Sequence, residues 1–246
     1  MNLADRIEIP KACRVETRIT KKVVLEEAQP KAPEKRILRE SVQSMQWLAA
    51  IKPDNSVIPK YQDEERVYDE VHHITISITK ASHSSPAGEM LQKFIPYPVV
   101  VWVFYEGGFR VYLAEKRRNK ANPGQSTILA HYQGPSLKEG DSLTESFLDE
   151  MRFSRLDHKN LLAFYQSMQA RVVGAEKTEY TGGRHLEIAN EPAEEQRVLQ
   201  RIKEVEDEIG SLRSKLKRES RYSEKVVMNM RIQSLRDEVK KMKEYL

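Results

Sequence analysis

The sequence predicts an α+β protein: a small mixed or antiparallel sheet with packed helices, followed by a C-terminal coiled-coil helical hairpin or long helix. Three observations predict it. Val99 to Phe104 is an unbroken β-branched and aromatic run, joined through Glu106-Gly107-Gly108 to a second such run. His72, Ile74, Ile76 and Ile78 alternate with His73, Thr75, Ser77 and Thr79, the period-two pattern of a strand. Beyond residue 193 the apolar residues fall at spacings of four and three, the seam of a coiled coil.

In chain order, residues 1–29 hold short apolar alternations without a clear period and read as irregular or short-strand structure. Pro33 suits a first helical turn, and Ile37, Leu38, Val42, Met45 and Leu48 follow at helical spacing, which predicts one amphipathic helix reaching about Ile51. Pro53 ends it, and the turn-rich PDNSVIP leads to the strand at His72–Ile78. Ser85 before Pro86 opens a short helix through Met90, Leu91 and Phe94. In the hairpin that follows, Val99–Phe104 is apolar at every position and reads as a central strand covered on both faces. Its partner alternates over Phe109–Ala114 and meets solvent at KRRNK; Thr127–Tyr132 adds a strand and Leu156–Val172 a core helix. The body thus spans 1–173, a polar stretch with TGGRH and NEP over 174–193 reads as a linker, and 194–246 is the arm.

The arm carries two stripes: Val198, Ile202, Val205, Ile209, Leu212 and Leu216, then Met228, Ile232, Leu235, Val239, Met242 and Leu246. They are out of frame by about two residues, roughly half a helical turn. A reversal near Lys217–Glu224 lets the stripes pack on each other; one continuous helix needs partners on two sides. The reading favours the hairpin, although no Gly or Pro marks the bend. The stripe residues are the candidate partner-binding surface.

With 41 Lys plus Arg against 37 Asp plus Glu, net charge is mild and its distribution decides more than its total. Arg110, Lys116, Arg117, Arg118 and Lys120 face only Glu115 over 110–120, a candidate phosphate-contacting patch. From 211 to 243, eleven Lys and Arg oppose Glu219, Glu224, Asp237 and Glu238. The longest apolar run, Phe94–Phe104, is broken by Pro96 and Pro98 and falls short of the ~20 residues of a membrane helix. With no apolar run near the N-terminus, a soluble cytoplasmic protein without a membrane partner is expected. Cys13, the only cysteine, rules out an internal disulfide or a multi-cysteine metal site.

Phosphate-cradling, zinc-protease and nucleophile-elbow motifs are absent, so no catalytic residue, metal or cofactor is expected. His72 and His73 are adjacent on a strand and point to opposite faces, so they do not chelate one ion together. A metal-dependent nuclease would need carboxylates and a lysine converging at strand ends. Asp69, Glu70, Glu115 and Lys116 are the candidates, but consecutive Glu115 and Lys116 face opposite ways. Trp47 and Trp102 sit within apolar patterns and read as core.

The order of WLAAIKPDNSVIPKY from Trp47, FIPYPVVVWVFY, AEKRR and the terminal KRESRYSEKVVMNMRIQSLRDEVKKMKEYL resembles the bacterial family called domain of unknown function 4391 over nearly the whole chain. The matching marks are Lys52 with Asn55 and Pro59, Ile95 with Pro96 and Pro98, Lys116 with Arg117, and Arg218 and Glu219 with Lys225 and Asn229. Glu115 departs from the family's aromatic before its Lys-Arg pair, and the segment opening at Leu156 lacks the expected Leu/Pro-rich start. The resemblance implies a setting beside helicases and DNA methyltransferases in restriction-like phage-defence clusters. The expectation is a non-catalytic accessory subunit whose arm docks a helicase or methyltransferase subunit, a second copy, or DNA. The alternatives are a metal-dependent DNA-processing enzyme and a stand-alone nucleic-acid binder.

Overall fold

The computed structural model describes residues 2–28, 30–119 and 126–246. A six-stranded mixed sheet forms its centre, with strand order β1 (Arg14–Arg18), β2 (Val42–Ile51), β5 (Val71–Ile78), β6 (Val99–Tyr105), β7 (Gly108–Arg118) and β8 (Ser126–Gln133). Among the described residues only β5 and β6 pair in parallel, and α5 (Ser84–Phe94) makes that crossover. A two-stranded ribbon, β3 (Tyr61–Gln62) and β4 (Val67–Tyr68), stands apart. One face is covered by α2 (Lys21–Glu27), α3 (Ala32–Glu40) and α5, which contribute Val24, Leu38, Met90 and Leu91 to its core. The other carries α1 (Leu3–Arg6), α6 (Ser142–Glu150) and α7 (Leu161–Thr181), with Phe147, Phe164 and Tyr165 packed under Trp102 and Leu113. The remaining helices are the one-turn α4 (Pro53–Ser56) and the arm, α8 (Pro192–Arg218) and α9 (Tyr222–Tyr245). The expected α+β class is what is found.

The largest difference from the sequence reading is at residues 42–51. The helix expected to run from Pro33 to about Ile51 stops at Glu40, and the rest is β2. Two register irregularities explain the misleading spacing, one between Val42 and Ser44 and one between Trp47 and Ala49. The first adds a residue, so Val42 and Met45, three apart, face the same layer. Leu48 faces the other layer, so the spacing of three continues by a change of face and not by a helical turn. Residues 1–29 also hold more helix than expected, in α1 and α2, and α6 was not anticipated.

Residues 174–193, expected as a polar linker, begin as the last two turns of α7, in which Gly174, Ala175, Glu176, Lys177 and Thr178 are buried. The chain then folds back along that helix. A Cβ on Gly174 would lie 2.1 Å from the Glu187 carbonyl oxygen, so only glycine admits this approach. At the β6–β7 turn, Gly107 has φ +87°, the left-handed conformation the EGG turn needs.

The sheet splays where β6 begins. Pairing of β6 with β7 runs from Tyr105↔Gly108 only as far as Val101↔Tyr112. Beyond it, side chains supply the missing donors. From the α5 face, Gln92 Nε2 donates to Val99 O at 2.8 Å and Tyr112 O at 2.9 Å. From the α7 face, the Tyr165 hydroxyl accepts from Ala114 N at 3.0 Å and shares its proton between Val99 O and Ala114 O, each at 3.1 Å. Further out, Lys116 Nζ donates to Ile95 O at 2.6 Å and Tyr97 O at 3.0 Å. Pro96 and Pro98 lack N–H groups, so this segment could not have completed a ladder on its own.

Tyr165→Phe therefore strands buried backbone groups while keeping the ring. Urea denaturation should show a loss of ~1–3 kcal/mol, the penalty of unsatisfied buried polar groups; an unchanged midpoint would mean that the hydroxyl does not hold the splayed strands together.

Candidate functional site

The arm is a hairpin. Helices α8 and α9 run antiparallel, as the cross-pairs Arg201–Glu238 and Arg231–Glu208, both at 3.0 Å, require. Reversal falls at Glu219–Arg221, where Glu219 Oε1 accepts from the backbone N–H groups of Ser220 and Arg221. That local capping makes the bend without Gly or Pro. Ile202, Val205, Ile209, Ile232, Leu235 and Val239 form the buried seam, with Val198, Leu212, Leu216, Met242 and Leu246 packed at its margins. Both stripes thus meet within one chain. The surface cross-pairs contribute at most ~1 kcal/mol each, so apolar burial carries the hairpin.

This placement changes what the stripes can do. Of the residues expected to bind a partner, Val198, Ile202, Val205, Ile209, Leu212, Leu216, Ile232, Leu235, Val239 and Met242 belong to the internal cluster, and Met228 is half-buried beyond it. What remains outside is a second apolar row near the bend: Tyr222, Val226, Val227 and Met230, with Tyr222 81% and Met230 69% exposed. Tyr222, Val226 and Met230 are four apart, so they share one outer face of α9. Arg213, Lys215, Lys217, Arg218, Arg221, Lys225 and Arg231 fall on the turns of the two helices next to the bend; Arg221 is paired with Glu219 and Glu224, and Arg231 with Glu208. Sequence reading missed this row because a heptad stripe draws attention to the buried positions.

The root of the arm is fixed to the body. Buried Glu176 pairs with Lys203 at 2.7 Å, and Lys177 pairs with Glu195 at 3.4 Å. Glu195 also caps α8, accepting from the backbone N–H groups of Asn190 and Glu191. Lys243 Nζ lies 4.9 Å above the Tyr180 ring, joining α9 to α7.

The basic patch expected on β7 is not assembled as one surface. Arg110 is half-buried beside Tyr105 and in the field of Glu176, eight residues and ~26 Å along the strand from Arg118. Lys116 is buried and committed to two carbonyls. Arg117 and Arg118 are exposed together at the strand end, and Lys120 lies outside the described residues. The carboxylates considered for a nuclease do not converge either. Glu70 pairs with Lys52 at 3.0 Å, Glu115 lies 4.0 Å from Arg66, and Asp69 is exposed. Among the described residues no group of three or more His, Cys, Asp and Glu could hold a metal ion. His73 donates nothing to such a site: it faces Trp102, whose Nε1 donates to its Nδ1 at 3.3 Å, and burial drives it down to about 3.

Lys116 is the most perturbed cation of the sheet. Burial pulls its ammonium down to about 7. The sequence reading set it where the strand meets solvent, as a phosphate contact; it is instead turned inward onto backbone oxygens of a segment without pairing, partners that no side-chain pattern reports.

The fold and arm define a class: an α+β body that presents a rigid helical hairpin with a basic, apolar-topped end. The chain belongs to the family described as domain of unknown function DUF4391, whose pattern matches residues 7–239. No curated protein and no solved structure matches it. Among the described residues no helix is long and apolar enough to cross a membrane.

Two outcomes follow from these placements. Leu235→Asp puts an unpaired carboxylate into a fully buried site and should lower the helical circular dichroism of the arm at room temperature, at a cost of ~3–5 kcal/mol; Tyr222→Asp should leave the spectrum unchanged. For Lys116, both folded and unfolded states are charged below pH 7, and the burial penalty is then full. Between 7 and the ordinary value of 10.5 the unfolded chain binds more protons, so stability rises with pH. The stability difference between the wild type and Lys116→Met should shift by a few kcal/mol toward the wild type over that window; a constant difference would place the lysine charge in solvent.

Proposed function

We propose that this protein is a non-catalytic accessory subunit of a bacterial anti-phage defence or restriction-type complex, acting in the cytoplasm, and that the end of its arm docks the helicase or methyltransferase subunit. The supporting observation is the exposed row Tyr222, Val226, Val227 and Met230, set among seven cations, of which Arg221 and Arg231 are ion-paired, on a hairpin whose own seam is already filled. Exposed aromatic and Met side chains near basic residues are the composition of protein-interface anchors. The complementary surface is an apolar depression with an acidic rim. Like charge on the two ends disfavours a second copy of this chain as the occupant. The cations also suit phosphates, but four apolar side chains at their centre favour a protein. Membership of the family supports the setting, through the defence-cluster context that the resemblance implies.

In size-exclusion chromatography with light scattering, the full-length protein should co-elute with the helicase or methyltransferase encoded beside it. The double variant Tyr222→Asp, Met230→Asp should weaken that complex by at least ~30-fold, the effect of losing anchors worth ~2 kcal/mol or more. Undiminished co-elution would reject the arm end as the docking site. Duplex DNA binding by the full-length protein alone that falls steeply with salt, and is lost on Arg218→Ala and Arg221→Ala, would support the nucleic-acid reading instead.

A further inference from the structure

The central sheet has two edges, and they differ in kind. Strand β1 is five residues long, carries Arg14, Glu16 and Arg18, and is interrupted by a register shift, with Glu16 at φ +50°. Shortness, charge and irregularity of that kind keep a further strand from adding. Strand β8 has eight residues and contains no Lys, Arg, Asp, Glu or Pro. Among the described residues nothing pairs with it beyond β7. The direction of its backbone groups follows from its neighbour. Ala114 turns its N–H and carbonyl to Tyr165 on the β6 side, and Tyr112 turns its carbonyl to Gln92 on that side. His131 and Gln133, which stand opposite them on β8, therefore direct their N–H and C=O groups to the free edge.

A cavity flanks this edge on each face of the sheet. One, of about 460 Å³, lies between β8, α3 and α5, with Ile37, Pro86, Met90 and Ile128 in its wall. The other, of about 670 Å³, lies between β8 and α8, with Ala130, Tyr132, Gln196 and Gln200 in its wall. Glu89 and His131 line both, so the two meet across the edge of the strand. Helices of both layers thus border a slot whose floor is the β8 edge.

We propose that an extended segment of a partner protein adds to β8 as a seventh strand, its alternate side chains entering the two cavities. Main-chain hydrogen bonds to His131 and Gln133 hold it, and the cavities select its side chains, apolar toward Met90 and Ile128 and polar toward Gln196 and Gln200. Charge narrows the choice further. Arg197 is paired with Glu194, Arg201 with Glu204 and Glu238, and Lys93 with Glu34. Among the described residues Glu89 makes no ion pair, so the charge left over in the slot is acidic and suits a strand that carries Lys or Arg. A second copy of this chain fits less well, because its β8 is bordered by the same helices, which would meet α5 and α8 here. The slot lies away from the bend of the arm, and the proposal does not rest on docking at that end.

The test is amide hydrogen exchange and fluorescence anisotropy of the full-length protein with a labelled nine-residue peptide in which Val alternates with Lys, Thr and Gln. The peptide should bind saturably and should slow exchange at His131 and Gln133, while Ala130 and Tyr132, which face Glu115 and Leu113 of β7, keep their rates. N-Methylation of the Val residues, or of the residues between them, should weaken binding at least ~10-fold in one of the two frames, the one whose N–H groups face β8. Exchanging the Lys residues of the peptide for Glu should weaken it about threefold, and Glu89→Lys should reverse that preference. His131→Pro removes an edge donor and should also weaken binding at least ~10-fold; if that variant does not fold, the methylated peptides decide. No saturable signal up to ~1 mM peptide, or equal affinity for the parent and both methylated peptides, would overturn the proposal. Dimerisation on light scattering that protects the same amides without peptide would assign the edge to a second copy and also overturn it. The Tyr222→Asp, Met230→Asp protein should bind the peptide normally, so the two readings fail separately.

Discussion

The β6–β7 junction is the constraint on which the rest of the body depends. Strand β6 opens with an unbroken fully buried run, Val99 to Val103, yet it begins after a segment with two prolines and so cannot be laddered to its neighbour along its full length. Three side chains from three elements close the gap. Gln92 enters from one layer, Tyr165 from the other, and Lys116 from the adjacent strand. Together they donate to the carbonyls of Ile95, Tyr97, Val99, Tyr112 and Ala114, and Val99 O accepts from both Gln92 and Tyr165. The junction therefore ties α5, α7 and β7 to one place. A lysine with its charge suppressed by burial is a costly way to satisfy two carbonyls.

The arm follows a simpler logic. Two stripes half a turn out of register cannot both be covered on one straight helix without two partners, and reversing the chain covers both at once. Because the seam is closed within the chain, the surface left for recognition is at its far end. The ion pairs of Glu176 with Lys203 and of Lys177 with Glu195 hold its root in place. A rigid root and an exposed, basic, apolar end make a projecting element suited to docking.

Much of this was readable from the sequence, and the exceptions share a cause. The alternation at His72–Ile78, the apolar run at Val99–Phe104 and the two heptad stripes each report an element whose burial follows its own period, and each appears as expected. Residues 42–51 misled because two irregularities break the period of two, leaving spacings of three that imitate a helix. The short helices α1 and α2 have too few turns to show a period. Candidate sites fared less well. Arg110 and Arg118 are close in sequence and far apart along a strand, while Lys116 is diverted inward by carbonyls.

The claim that most of this rests on is that the two stripes pack on each other within one chain. Its most direct test is a pulsed electron resonance distance between spin labels at Arg201→Cys and Glu238→Cys, with Cys13 replaced by Ser, at several dilutions with unlabelled protein. The account predicts a separation of no more than ~20 Å that survives dilution, since these residues face each other across the hairpin. A separation near ~55 Å, the length of an uninterrupted helix between them, or a short distance that disappears on dilution, would contradict it.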